Sequence, residues 1–333
     1  MMRVFIHYKT ALNRETFEGS RLRKVLKGEC EEAGVTWIDD IFAEPDIAHF
    51  LTPRDEAMAV DAAWHSIPIV VSAFYAENDP YASFLDPKKP KTPTITSRAM
   101  RLLNRADLVL VPNEAMKTLC VEQGVKSRIE IHDPCVNLRR FDNLGAEKDI
   151  FPRYFSIRDE KKIVLSAGCY EDRYIINAMK NIASCCPELD FYFFGSFKRH
   201  NPRWLIASYS RKCPPNLHFE SLVQDDVFRS ALYRADAFLA LDAVHPDGAF
   251  VLDAFATKTQ VVALHKNPLN DLLISDKTCF VFDSIGSIAH YLRSLYSKEA
   301  KSTIIPAYAM AERHSLQTGA KRLKELYASL LNR

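Results

Sequence analysis

Short apolar runs alternate along the chain with longer stretches whose apolar positions recur three and four residues apart. MRVFIH at 2–7, VTWI at 35–38, IAHFL at 47–51 and IPIVVSAF at 67–74 are nearly continuous, as strands buried on both faces are. Glu18 to Ala33, closed by Gly34, and Ala57 to Trp64 read as the helices between them. ADLVLVP at 106–112, a helix capped by Asn113 and closed by Gly124, and RIEIH at 128–132 continue the series. Residues 143–160 are polar and irregular, which suits a linker. The alternation then resumes with KKIVLSAG at 161–168, DFYFFGSF at 190–197, LHFESLV at 217–223, a helix from Asp225 to Ala235, and AFLALD at 237–242. After the polar loop AVHPDG come a helix, AFVLDAFAT, and another apolar run, QVVAL. Amphipathic helices over 284–297 and 305–331 close the pattern. Strands alternating with helices predict α/β architecture with parallel sheets.

A chain of 333 residues is long for one domain. The pattern predicts a first domain over 1–150, a second over 151–304, and a last helical segment over 305–333 that crosses back to the first. Its 44 basic and 42 acidic residues leave a net charge of +2, too little for a nucleic-acid binder recognised by its overall field. Any anion must be met locally. The 8 cysteines contain no CxxC pair, which points to free thiols in a reducing cytoplasm and away from zinc. Neither a signal peptide nor an apolar run long enough for a membrane span is expected. Ten glycines are fewer than half the ordinary share of about 7%. Neither GxGxxG nor GxxxxGK[ST] occurs, which disfavours dinucleotide enzymes and P-loop ATPases.

Chemistry is expected in the loop and helix around 243–257, because open parallel sheets bind ligands beyond the carboxyl ends of their strands. Gly248 lets the backbone come close to a bound group, and the amides of Gly248, Ala249 and Phe250 are candidates to cradle a phosphate. Asp253 is placed to accept hydrogen bonds from hydroxyls such as a ribose diol. The same residues also fit an N-cap at Asp247 followed by an ordinary acid near a helix start.

The nine residues from His245 to Asp253, followed by Ala254, Phe255 and Ala256, resemble the donor-site motif of glycosyltransferase family 4. That motif has a glutamate at each end and the family has the GT-B fold. Asp253 stands at the second acid, His245 at the first, and Asp247 lies two places later. The resemblance implies two Rossmann-like domains facing across a cleft and a retaining transfer of a hexose from a nucleotide sugar, UDP-linked, without a tightly bound metal or other cofactor. It assigns the ribose to Asp253, the donor sugar to His245 or Asp247, and the nucleobase edge to the backbone at Leu222 and Val223. A phosphate-binding cation falls to Arg173, with Lys198 and Arg199 as weaker candidates. A second match runs through 106–142, ending in DPCVNLRRF.

Three family positions differ: the first acid is His245, Cys169 stands at the phosphate arginine, and Phe74 or Tyr75 replaces a histidine. An alternative function is therefore a catalytically silent GT-B partner of another glycosyltransferase. His49 reads either as a cleft residue or as a structural one. Lys88, Lys89, Lys91, Arg98, Arg101 and Arg105 make residues 88–105 basic, a segment suited to an anionic membrane surface. The acceptor suggested is a glycolipid or a cell-envelope glycan, with the protein cytoplasmic or peripheral on the inner face of the membrane.

Overall fold

The computed structural model describes residues 2–8, 17–73, 94–142, 144–157, 161–170, 172–196, 203–211, 213–221, 223–241, 248–264, 271–294 and 302–332. From the start of the chain the elements are β1 (Arg3–His7), α1 (Phe17–Glu32), β2 (Thr36–Ile38), β3 (Ile47–Phe50), α2 (Glu56–Trp64) and β4 (Ile69–Ser72). Next come α3 (Ser97–Leu103), β5 (Leu108–Val111), α4 (Glu114–Glu122) and β6 (Ile129–Ile131). A 3-10 turn (Leu138–Phe141) precedes α5 (Leu144–Glu147), α6 (Ile150–Tyr154), β7 (Ile163–Cys169), α7 (Arg173–Cys185), β8 (Asp190–Ser196) and α8 (Arg203–Ser210). The chain continues through β9 (Leu217–Ser221), α9 (Asp225–Arg234), β10 (Ala237–Ala240), α10 (Ala249–Ala256), β11 (Val261–Leu264) and β12 (Phe280–Phe282). Last come α11 (Ile285–Ser294), α12 (Ile304–Arg313) and α13 (Leu316–Leu331).

The chain forms two compact units, Met1–Asn137 with His314–Arg333, and Leu138–Arg313. Each has a six-stranded, all-parallel sheet, as the alternating pattern predicts. In unit 1 the strand order is β2-β1-β3-β4-β5-β6. Successive side chains of a strand point to opposite faces, and both faces here are covered. Phe5, Phe50, Val71 and Val109 pack with Leu102, Leu103 and Met116 of α3 and α4. Val4, Ile6, Ile47, Val70 and Leu108 pack with Leu26 of α1 and with Leu323 and Tyr327 of α13. In unit 2 the order is β12-β11-β10-β7-β8-β9. Phe191, Phe193, Leu239 and Val262 of its sheet meet Ile175, Met179 and Ile182 of α7 and Ile288 and Leu292 of α11.

Two boundaries differ from the sequence reading. The segment 143–160, expected to be an irregular linker, carries α5 and α6 and belongs to unit 2, so the division falls at Asn137 rather than 150. Phe151 explains it: fully buried, it sits 5.1 Å from the ring of Tyr192 and 6.4 Å from that of Phe194, and its amide donates to Ser230 Oγ at 3.0 Å. The expected helix over 305–331 is two helices, broken at His314 and Ser315. Val136 N donates to His314 O at 2.8 Å and Leu316 N to Val136 O at 3.1 Å, so this stretch of chain pairs as an extended segment before Ser315 caps α13.

α13 lies close against the rest of unit 1. A Cβ at Gly319 would run into Cys135 Sγ and Glu29 Oε1, so only glycine fits that approach. His49 is structural: it is 1% exposed and hydrogen-bonds Tyr327 Oη at 2.7 Å and Ser72 Oγ at 2.7 Å. Burial, with the charge of nearby His132, lowers its pKa from 6.5 to about 3.

Two measurements check this packing. Gly319→Ala is expected to cost about 1–3 kcal/mol, the usual penalty of overpacking, read as a lower denaturant midpoint. Because folded His49 resists protonation while the unfolded side chain accepts a proton near 6.5, the stability it contributes is full above 6.5 and is lost as pH falls from 6.5 toward about 3. His49→Gln is expected to flatten that part of the stability–pH curve.

Candidate functional site

The sheet of unit 2 reverses direction at its first strand. From β7 the chain builds outward through β8 and β9 on one side and then through β10, β11 and β12 on the other. The crevice beyond the carboxyl ends of the strands flanking such a switch point is where open α/β sheets bind ligands, and here those strands are β7 and β10. Arg173 opens the helix after β7, and Gly248 precedes the helix after β10.

Asp172 caps α7 by accepting from Tyr174 N at 2.9 Å and Ile175 N at 3.3 Å. Arg173 is exposed and has no ion-pair partner among the described residues. Tyr170 fills the space after β7, fully buried over Gly195, and its hydroxyl donates to Glu220 O at 2.7 Å. Val223 is partly buried between β9 and α9, on the same carboxyl edge. His245, Asp247 and Leu222, like Lys198 and Arg199, lie outside the described residues, as do Phe74 and Tyr75.

Gly248 adopts φ 60 and ψ 14, the left-handed region where a side chain is disfavoured. Its carbonyl accepts from Leu252 N at 2.8 Å, and α10 follows with every residue buried. Ala249 and Phe250, expected at an open phosphate cradle, are 8% and 5% exposed. Phe250 lies 5.5 Å from the ring of Phe228, and Phe228 is 5.6 Å from that of Phe194. The start of α10 is thereby packed onto α9.

Asp253 is the one charged residue of α10 and is 4% exposed. Burying a carboxylate this deeply requires a partner. Arg140 supplies it: Nη1 donates to Asp253 Oδ1 at 3.2 Å and lies 3.5 Å from Oδ2. The rest of that guanidinium binds Asp225, with Nη2 on Oδ1 and Nε 3.4 Å from Oδ2. Arg229 stands 3.4 Å from Asp225 Oδ2, donates to Glu147 Oε1 at 3.1 Å and reaches the carbonyl of Arg140. Charges of alternating sign therefore run from Glu147 through Arg229, Asp225 and Arg140 to Asp253. Burial lowers the Arg140 pKa, but Asp253 and Asp225 outweigh it and the net shift is upward.

Sequence reading singled out Asp253 but not its partners. Arg140 stands in DPCVNLRRF, beside Arg139, and is separated from Asp253 by 113 positions. The helical spacing of Asp225 and Arg229 signals their own pair. Two adjacent arginines after a strand signal a cation but not where it reaches.

Among the described residues no group of three or more His, Cys, Asp or Glu side chains is placed to hold a metal ion. No helix among them is long and apolar enough to cross a membrane.

No family model matches the chain. A processive diacylglycerol alpha-glucosyltransferase from Acholeplasma laidlawii is 21% identical over 227 residues, 68% of each protein. Among solved structures, Anabaena Alr3699/HepE in complex with UDP-glucose matches 99% of this chain and 100% of its own, with a TM-score of 0.74 and 14% identity. Sucrose-phosphate synthase from Thermosynechococcus elongatus covers 100% of both chains, with a TM-score of 0.71 and 11% identity. The fold is that of the GT-B glycosyltransferases.

Breaking the pair at α10 has a measurable cost. Arg140→Ala, which takes the Arg140 guanidinium away from the buried Asp253 carboxylate, is expected to destabilise the protein by about 3 kcal/mol, the low end for a buried pair because Arg140 is partly exposed. The double variant Arg140→Met with Asp253→Leu is expected to recover most of that loss in urea unfolding.

Proposed function

We propose that the chain is a retaining glycosyltransferase that moves a hexose from a UDP-sugar to an acceptor hydroxyl, with unit 2 holding the donor. The observation that carries this reading is the switch point: the loops after β7 and β10 bring Arg173 and Gly248 to the two strand ends where such sheets take ligands. Asp253 supports it as the one charged residue of the helix that follows Gly248, a hydrogen-bond acceptor near that strand end. In this reading Arg173 meets the donor diphosphate and Gly248 allows close backbone approach to it. Ala249 and Phe250 line that approach, Asp253 accepts from the ribose hydroxyls, and Val223 with Leu222 meets the nucleobase through the main chain. His245 or Asp247 contacts the sugar. Fixed charges of this kind stabilise a departing diphosphate without a bound metal or cofactor.

UDP-glucose is the donor favoured, because HepE is a structure in complex with it and matches the chain end to end. A glycolipid acceptor is favoured by the similarity to a diacylglycerol glucosyltransferase. Unit 1 then takes the acceptor at the inner face of the membrane. α3 fits such a surface: Ala99, Leu102 and Leu103 face the core, leaving Arg98 and Arg105 exposed. A second reading, a silent GT-B partner of another glycosyltransferase, is favoured by the Arg140–Asp253 pair, which already occupies part of the carboxylate assigned to ribose.

UDP or UDP-glucose is expected to raise the melting temperature of the protein, and Asp253→Ala to abolish that shift measured against its own ligand-free baseline. Slow hydrolysis of UDP-glucose without acceptor identifies an enzyme; a thermal shift without turnover in any donor assay identifies the silent partner. Absence of a shift with every nucleotide sugar overturns the donor site.

A further inference from the structure

Unit 1 contains a cation that makes no ion pair among the described residues. Arg54 stands in the loop after β3, between the buried residues Leu51, Thr52 and Pro53 and the buried cap of α2, Asp55. Its guanidinium is partly buried, and its Nε is shut away from solvent with no hydrogen-bond partner. The two acids beside it in sequence are engaged elsewhere. Asp55 pairs with His7 Nε2 at 2.9 Å and caps Met58 N at 3.4 Å. Glu56 receives the forked donors of Arg101 at 2.8 Å and 2.8 Å. No ion pair to Arg54 occurs among the described residues.

A second cation makes the arrangement less favourable for an empty site. Burial lowers the pKa of Arg54; Tyr8 opposes that shift and the Arg98 guanidinium adds to it. Arg98 is exposed in the first turn of α3, and the Arg101–Glu56 fork ties that helix to the start of α2. Withdrawing an unpaired guanidinium from water beside another cation costs free energy that an incoming anion would recover.

The position is also that of a ligand site. The unit 1 sheet reverses between β1 and β3, since β2 lies beyond β1 on one side and β4, β5 and β6 beyond β3 on the other. His7 ends β1 and Arg54 follows β3, so both stand at the carboxyl edge of the switch point. We propose that Arg54 and Arg98 together bind a phosphate monoester carried by the molecule that unit 1 receives. Calling that molecule the acceptor rests on the glycosyltransferase reading; the phosphate site does not. An arginine offers planar paired donors that match phosphate oxygens, and two of them suit a dianion.

The test is calorimetric titration of the full chain, with UDP present to occupy a nucleotide site in unit 2, using sn-glycerol 3-phosphate and, as the uncharged control, glycerol. Wild type is expected to bind the phosphate ester and not glycerol. Arg54→Gln is expected to weaken that binding by about ten-fold or more, the loss of a charge-assisted hydrogen bond, with Arg98→Gln also weakened and Arg54→Lys partly retained. Co-sedimentation with phosphatidate vesicles, against phosphatidylcholine vesicles, distinguishes a lipid-borne phosphate from a soluble one; dependence on Arg54 supports the site in either case. Arg54→Gln should melt no lower than wild type, since it removes an unpaired buried charge. Wild type binding neither probe, or the Gln variants binding as well as wild type, overturns the proposal. A protein that shows no UDP shift but keeps Arg54-dependent phosphate binding loses the sugar-transfer reading and keeps this one.

Discussion

The governing constraint in both units is that a parallel sheet must be covered on both faces. Crossover helices lie over the strands, so the strand interiors can hold only side chains that tolerate the core, and the sequence obeys with all-buried runs such as IVVS in β4, LVLV in β5 and AFLA in β10. Polar chemistry is thereby displaced to the strand ends. Gly248, Arg173 and Arg54 all occupy such places, and each is explained by the edge it stands on rather than by its immediate neighbours in sequence.

The two units solve the problem of buried charge differently. In unit 2 the carboxylate of α10 is embedded in an alternating set of charges that ends in Glu147, so its partner Arg140 is itself held by a second acid. Such a set fixes the 3-10 turn, α5 and α9 around α10 as well as compensating Asp253. In unit 1 the acids beside Arg54 in sequence, Asp55 and Glu56, pair with His7 and Arg101 instead.

The alternating elements and parallel sheets followed from what the sequence makes plain: buried runs and helix ends marked by residues such as Asn113 and Gly124. Legibility failed where long-range packing overrides local composition. The polar stretch around 150 looked like linker because its aromatic anchors, Phe151 and Phe155, are interspersed with Lys148, Asp149 and Arg153, and nothing local shows that the rings of Tyr192 and Phe194 await them. The break before α13 has the same origin, since Val136 is far from Ser315 in sequence. At the candidate site Asp253 was visible through its place in a motif. Arg140 was not, because a salt bridge across more than a hundred residues has no periodicity to betray it.

Unit 1 is discontinuous, being completed by α13 only after the whole of unit 2. On a ribosome, unit 2 therefore emerges as an uninterrupted foldable body, while the earlier residues of unit 1 wait with one side of their sheet, Val4, Ile6, Val70 and Leu108 among them, lacking its final cover. The cover of that face is complete only when Tyr327, near the end of α13, meets His49.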